Sequence, residues 1–78
     1  MQEKSLALLR RVEVQVRTGL SRASIYDRLN PDSPRYDSSF PAPVRVGAMA
    51  VRWRQDEVEV WIASRPRTRA QRKEVGNV

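Results

Sequence analysis

The sequence predicts a mainly α-helical single domain with one small β-hairpin, organised around a helix-turn-helix. Two short helical stretches are separated by Thr18-Gly19-Leu20-Ser21, a tight turn that pairs a helix-ending glycine with a helix-starting serine. Beyond Pro41-Ala42-Pro43 the apolar period changes to two, with a glycine in the short connection, which is the pattern of a hairpin. The chain has 78 residues, too few for two conventional domains and few enough that a single core is marginal.

The elements follow in order. Residues 1–7 read as a flexible lead-in, residues 8–65 as the folded domain and residues 66–78 as a basic, disordered tail. From Leu8 to Thr18 the pattern is double. Val12, Val14 and Val16 alternate as in a strand, while Leu9, Val12 and Val16 follow helical spacing. The glycine at the far end decides for a helix over 8–18. Ser21 is a good N-cap for a second helix with Arg22, Ala23 and Ser24 in its first turn and Ile25 and Leu29 on its apolar face. Asn30-Pro31-Asp32-Ser33-Pro34 opens a loop that runs to Ser39, which Tyr36 and Phe40 are expected to pin to the body. In the hairpin, Val44 and Val46 point one way around Arg45, and Val51 and Trp53 point one way around Arg52. That predicts an apolar inner face and an arginine outer face. Asp56 and Glu57 then suit the start of a third helix, whose face is Val58, Trp61 and Ile62. Arg65 fits its last turn, and Pro66 stops it.

Composition narrows the function. The chain has no Cys and no His, which removes disulfides, thiolates and imidazole ligands and argues against a structural zinc site or any other cofactor. The same absence removes the usual acid–base and nucleophilic groups of enzymes, so the chain reads as a non-enzyme. The carboxylate cluster Asp56, Glu57 and Glu59 has no partner base and is explained by the helix start. No segment approaches the roughly 20 apolar residues of a membrane span, and Leu6-Ala7-Leu8-Leu9 is too short for a signal peptide. A cytoplasmic location is the expectation.

The net charge is +6, and the sequence pI is about 11.1. Arg65, Arg67, Arg69, Arg72 and Lys73 face only Glu74, so the tail is either a solvated segment or an arm that reaches phosphates. Trp53 and Trp61 fall at core-facing positions and read as core, not as platforms for stacking bases. The strongest signal is the second helix. In a helix-turn-helix the start of that helix enters the major groove, where Arg22 suits guanine and the Ala23 methyl a thymine methyl. Ser21, Ser24 and Tyr26 suit phosphate or base contacts, with Tyr26 alternatively packing at the rim, and Arg28 lies nearer the backbone. The bland alternative is a solvated helix face. Arg45, Arg52 and Arg54 add a second basic edge, and two charged elements flanking one helix favour nucleic acid.

The residues Thr18-Gly19-Leu20-Ser21-Arg22-Ala23-Ser24-Ile25-Tyr26 are similar to the TGLSRSTIY signature of AlpA-like prophage regulatory proteins. Phe40-Pro41-Ala42-Pro43-Val44-Arg45-Val46-Gly47 resembles the FPxPVxLG segment of that family. Ala50-Val51-Arg52-Trp53-Arg54, Glu57-Val58 and Trp61-Ile62 resemble its AVxWxxxEVxxWI closing pattern. The resemblance covers about residues 8–65 in register. It implies a winged helix-turn-helix of the MerR and excisionase kind, acting as a transcriptional regulator or recombination directionality factor of a mobile element. It also implies a recognition helix carrying Arg22, Ser24 and Tyr26 and a wing carrying Arg45 and Arg52. The family commonly has Arg at the wing tip where this chain has Met49, which is therefore either a wedge or simply exposed, with Arg52 taking the groove contact.

The expected partner is double-stranded DNA, with integrase or RNA polymerase as protein partners. No heptads follow Ile62, so a free monomer is expected that assembles head to tail on repeated sites. The competing reading is a basic module that docks an acidic protein. It would show apolar anchors at helical spacing, which the second helix lacks. An RNA-binding role is disfavoured by the shortage of surface aromatics.

Overall fold

A computed structural model describes residues 7–68 of the chain. The order of elements is β1 (Leu8–Leu9), α1 (Arg11–Thr18), α2 (Arg22–Leu29), β2 (Val44–Arg45), β3 (Val51–Arg54) and α3 (Gln55–Ala63). The strands form an antiparallel sheet in the order β1-β3-β2. Three helices around this small sheet, with the β2–β3 hairpin projecting, make a winged helix-turn-helix.

The first helix is shorter than the expected 8–18. Leu8 and Leu9 are extended and pair with Arg54 and Trp53, and Gln55 donates its N–H to the Ala7 carbonyl at 2.9 Å. The reason is burial. A strand here places Leu9 opposite Trp53 inside the core, while Leu8 faces out. The helix begins only after Arg10, whose N–H donates to Glu13 Oε1 at 2.7 Å. The first two residues of the expected helix are thus part of the sheet.

The core is Leu9, Val14, Ile25, Phe40, Trp53, Val58 and Trp61, with Leu20 and Leu29 packed at its margin. Each element contributes at most two of these side chains, so no element can hold itself together alone. Trp53 is fully buried, and its indole Nε1 donates to the Pro41 carbonyl at 3.0 Å, so its one polar group is satisfied. Phe40 meets Trp61 edge to face, with centroids 4.9 Å apart and planes at 81°. As read from sequence, both tryptophans are core. Ile62 is not: it is 38% exposed, and α3 buries Val58 and Trp61.

The 30–39 loop is held differently from the expectation. Phe40 is buried, but Tyr36 is 47% exposed. The second anchor is Asp37, whose N–H donates to the Arg28 carbonyl at 3.0 Å and whose Oδ2 accepts the Trp61 indole N–H at 3.1 Å.

The hairpin also departs from the alternation read in the sequence. Val44 stands opposite Arg52, and Arg45 opposite Val51. Directly opposed residues share a face, so each arginine shares a face with a valine and the two arginines project from opposite faces. Gly47-Ala48-Met49 between Val46 and Ala50 sets this register, since Val46 N–H donates to the Ala50 carbonyl at 2.9 Å. One residue more or fewer would bring the valines together. The pattern is tolerated because Val44, Val46 and Val51 are all exposed on a wing that stands away from the core.

Candidate nucleic-acid interface

The turn between α1 and α2 is locally determined. Gly19 ends α1 in the left-handed region at φ 76°, and its N–H reaches the Gln15 carbonyl at 2.8 Å. Thr18 Oγ1 donates to the Val14 carbonyl at 2.7 Å and accepts the Leu20 N–H at 3.2 Å. Ser21 Oγ accepts the Ser24 N–H at 3.1 Å, capping α2 as its sequence position suggested. With Ile25 buried beneath the helix, Ser21, Arg22, Ala23 and Tyr26 are exposed, while Ser24 and Arg28 are half-buried.

These side chains do not all point outward with equal freedom. The Arg22 guanidinium carbon lies 5.9 Å from the Tyr26 ring centroid, one turn along the same face. Arg28 Nη1 donates back to the Ser24 carbonyl at 3.2 Å, which lays the side chain along its own helix. Asp27, the one carboxylate on α2, is paired with Arg35 at 3.6 Å.

On the wing, Met49 is 94% exposed at the tip. Arg45 Nη1 donates to the Ala48 carbonyl at 3.2 Å, and Arg52 Nη1 to the Val51 carbonyl at 2.8 Å, so both guanidiniums bond the wing's own backbone. Arg54 is engaged elsewhere: Nε and Nη2 reach Asp56 at 3.1 and 2.9 Å, with Glu57 at 3.8 Å. The hydrogen bond to Asp56, followed by its charge, raises the Arg54 pKa above its ordinary value. Arg67 is exposed. Arg69, Arg72 and Lys73 lie outside the described residues.

Two concavities formed by described residues differ in charge. One, of about 450 Å³, lies between Arg10, Arg11 and Val12, Tyr26 of α2, and the wing residues Met49–Trp53. The other, of about 670 Å³, lies between the 38–42 segment and α3, with Asp56 and Glu57 at its edge. They share no residue. Although larger, the second carries carboxylates and would repel a polyanion. Beside it, the Asp37 carboxyl is held below the usual range, first by the Ser39 hydroxyl; burial opposes this, and Ser39 N–H, the Trp61 indole and Arg65 add to it. Arg65 closes that side, its guanidinium 4.2 Å from the Trp61 ring centroid and 3.7 Å from Asp37.

The ion pairs sort the charges. Arg35, Arg54 and Arg65 take Asp27, Asp56, Glu57 and Asp37. Among the described residues, Arg10, Arg11, Arg17, Arg22, Arg28, Arg45, Arg52 and Arg67 pair with no carboxylate, and Arg10, Arg11 and Arg52 line the smaller cleft. Arg10 and Arg11 are the residues that sequence reading missed. Nothing in their spacing shows that the β1 strand turns the start of α1 toward the wing. No group of three or more Asp, Glu, His or Cys side chains that could hold a metal occurs among the described residues. No helix among them is long and apolar enough to cross a membrane.

The family model described as Prophage CP4-57 regulatory protein (AlpA) matches residues 7–66. The DNA-binding transcriptional activator AlpA of Escherichia coli (strain K12) is 43% identical over 61 residues, which span 78% of this chain and 87% of that protein. No solved structure matches.

Proposed function

The chain belongs to the AlpA family of prophage regulatory proteins, and on that premise we propose that it binds double-stranded DNA sequence-specifically and regulates a mobile genetic element. The observation that carries the reading is the cleft of carboxylate-free arginines, Arg10, Arg11 and Arg52, between α2 and the wing, while Arg54 and Arg65 are neutralised by Asp56, Glu57 and Asp37 on the α3 side. A duplex presents a regular line of negative charge that this face complements.

In this reading the first turn of α2 enters the major groove, which at about 12 Å is wide enough to admit a helix. Arg22 donates to guanine O6 and N7, steadied by the Tyr26 ring beneath it. Ala23 offers its methyl to thymine, and Ser21, Ser24 and Tyr26 take phosphate or base edges. Arg28 contributes near the backbone. The wing reaches the neighbouring minor groove, with Met49 as an apolar wedge at the tip and Arg52 beside it. Arg45, on the opposite face of the hairpin, serves a phosphate. Arg54 contributes only if released from Asp56. Arg67, with Arg69, Arg72 and Lys73, adds sequence-independent contacts.

The output is transcriptional regulation, as the name of the Escherichia coli relative states for that protein, or excisionase-type control of recombination, or both. RNA polymerase or an integrase is the protein partner these outputs require, and the site of action is the nucleoid in the cytoplasm. Copies bind as monomers and assemble head to tail on repeats.

The test is selection from randomised duplexes at about 0.2 M salt, where purely electrostatic binding collapses. Recovery of a short repeated site is expected. Arg22→Ala should then lose about 1–3 kcal/mol on that site and relax one base position. Uniform loss of all sequences would overturn the reading and favour docking to an acidic protein.

A further inference from the structure

We propose that the cleft between the start of α1, Tyr26 and the wing seats one sugar-phosphate strand of a duplex, with Arg10 and Arg11 as its phosphate ligands. The inference deepens the DNA-binding reading and rests on it. Its argument is geometric. One wall of the cleft is α2, through Tyr26, and the other is the wing, through Met49 and Arg52, with Arg10 and Arg11 between them. If α2 lies in the major groove and the wing in the adjacent minor groove, the body that must pass between them is the single strand separating the two grooves. That strand offers phosphates and sugars and no base edge, so its site calls for cations and a hydroxyl.

The cleft supplies these. Neither Arg10 nor Arg11 pairs with a carboxylate among the described residues. Arg11 is held along α1 by Nε donating to Gln15 Oε1 at 3.1 Å, which leaves its terminal nitrogens for a ligand. Glu13, the acid closest in sequence, is turned to the Arg10 N–H at the helix start. Arg52 completes the set from the wing side. Guanidinium groups suit this role because the planar fork matches two oxygens of one phosphate. Arg10 and Arg11 therefore set how tightly the duplex is held and in what orientation, without reading its sequence.

The experiment measures affinity against salt concentration on a mixed-sequence duplex of about 20 base pairs, where each lost phosphate contact reduces the slope of log K against log salt by about 0.9. The Arg10→Ala/Arg11→Ala protein should show a slope shallower by about 1.8. Arg10→Lys/Arg11→Lys should restore most of it, which separates lost charge from lost folding. Arg35→Ala, which removes a cation already paired with Asp27, should leave the slope unchanged. An unchanged slope in the double alanine variant, beside normal duplex binding, would overturn the cleft while leaving the DNA reading intact. Equal slope changes for Arg35→Ala and the cleft variants would also overturn it, since the effect would then be net charge. Failure to select a preferred sequence, with the slope change present, would overturn sequence reading and keep the strand site.

Discussion

Replacing Asp37 by Ala removes the point where the long loop is tied to α3, and its effect can be worked out from the bonds it makes. The carboxylate accepts the Ser39 hydroxyl at 2.6 Å, the Ser39 N–H at 2.9 Å and the Trp61 indole N–H at 3.1 Å, and pairs with Arg65 at 3.7 Å. Ser39 is exposed, so water replaces its bonds at little cost. Trp61 is buried, so the indole donor loses most: about 1–3 kcal/mol for a buried group left unsatisfied. The half-exposed ion pair adds well under about 1 kcal/mol. A total near 2 kcal/mol is expected. Domains of this size have roughly 4–12 kcal/mol to lose, and the change corresponds to a drop in Tm of about 8–16 °C. Asp37→Asn, which keeps an acceptor oxygen, should lose about half as much. The pH dependence has a definite sign. Because the folded Asp37 carboxyl ionises below its ordinary value, its stabilisation is complete above the unfolded pKa of about 3.9 and lost as pH falls through the lower folded value. Thermal melts followed by circular dichroism should therefore show a constant gap between wild type and Asp37→Ala above about pH 5, narrowing below about pH 4. A variant melting within about 2 °C of wild type at pH 7, or a gap unchanged at about pH 2, would refute the reasoning.

Two further substitutions probe the turn and the wing. Gly19→Ala should cost about 1 kcal/mol in urea titration, entirely from backbone strain at φ 76°, because an added Cβ meets nothing within 4 Å; a larger loss would mean that the turn is packed more tightly than its geometry indicates. Met49→Ala should change stability by no more than about 0.5 kcal/mol, the side chain being 94% exposed. It should nevertheless reduce the bend of a bound duplex measured by end-to-end energy transfer, and equal bending by both proteins would exclude a wedge at the tip.

Local chemistry was legible in the chain because its causes are local. Thr18-Gly19-Leu20-Ser21 carries its own stop and start signals, and the turn closes through bonds spanning two to four residues. α3 ends at Ala63, before the expected last-turn Arg65 and the stop at Pro66, while both tryptophans were placed in the core by apolar patterning alone. The exposed start of α2 followed from Ile25 being the buried face. Charge composition, too, was a property of the sequence: a basic chain lacking His and Cys points to a polyanion before any fold is known.

What the sequence left open depended on which distant segments meet. Leu8 and Leu9 suit helix or strand equally, and only the free edge of β3 decides for a strand. The hairpin's valines suggested one apolar face, but a register is a relation between two strands, and Gly47-Ala48-Met49 sets it against the alternation. Tyr36 and Asp37 are neighbours in sequence, yet only Asp37 meets the Trp61 indole across the loop. The sorting of charges is the plainest case. No linear reading separates Arg65, held by Asp37 from across the fold, from Arg52, left beside the cleft. The sequence by itself determined the turn between α1 and α2, its Gly19 and Ser21 caps and the sign of the surface, because those arise within one turn of chain or from composition. The tertiary structure alone decided the wing's register and which arginines remain unpaired, because ion pairs and strand pairing are settled by distances in space.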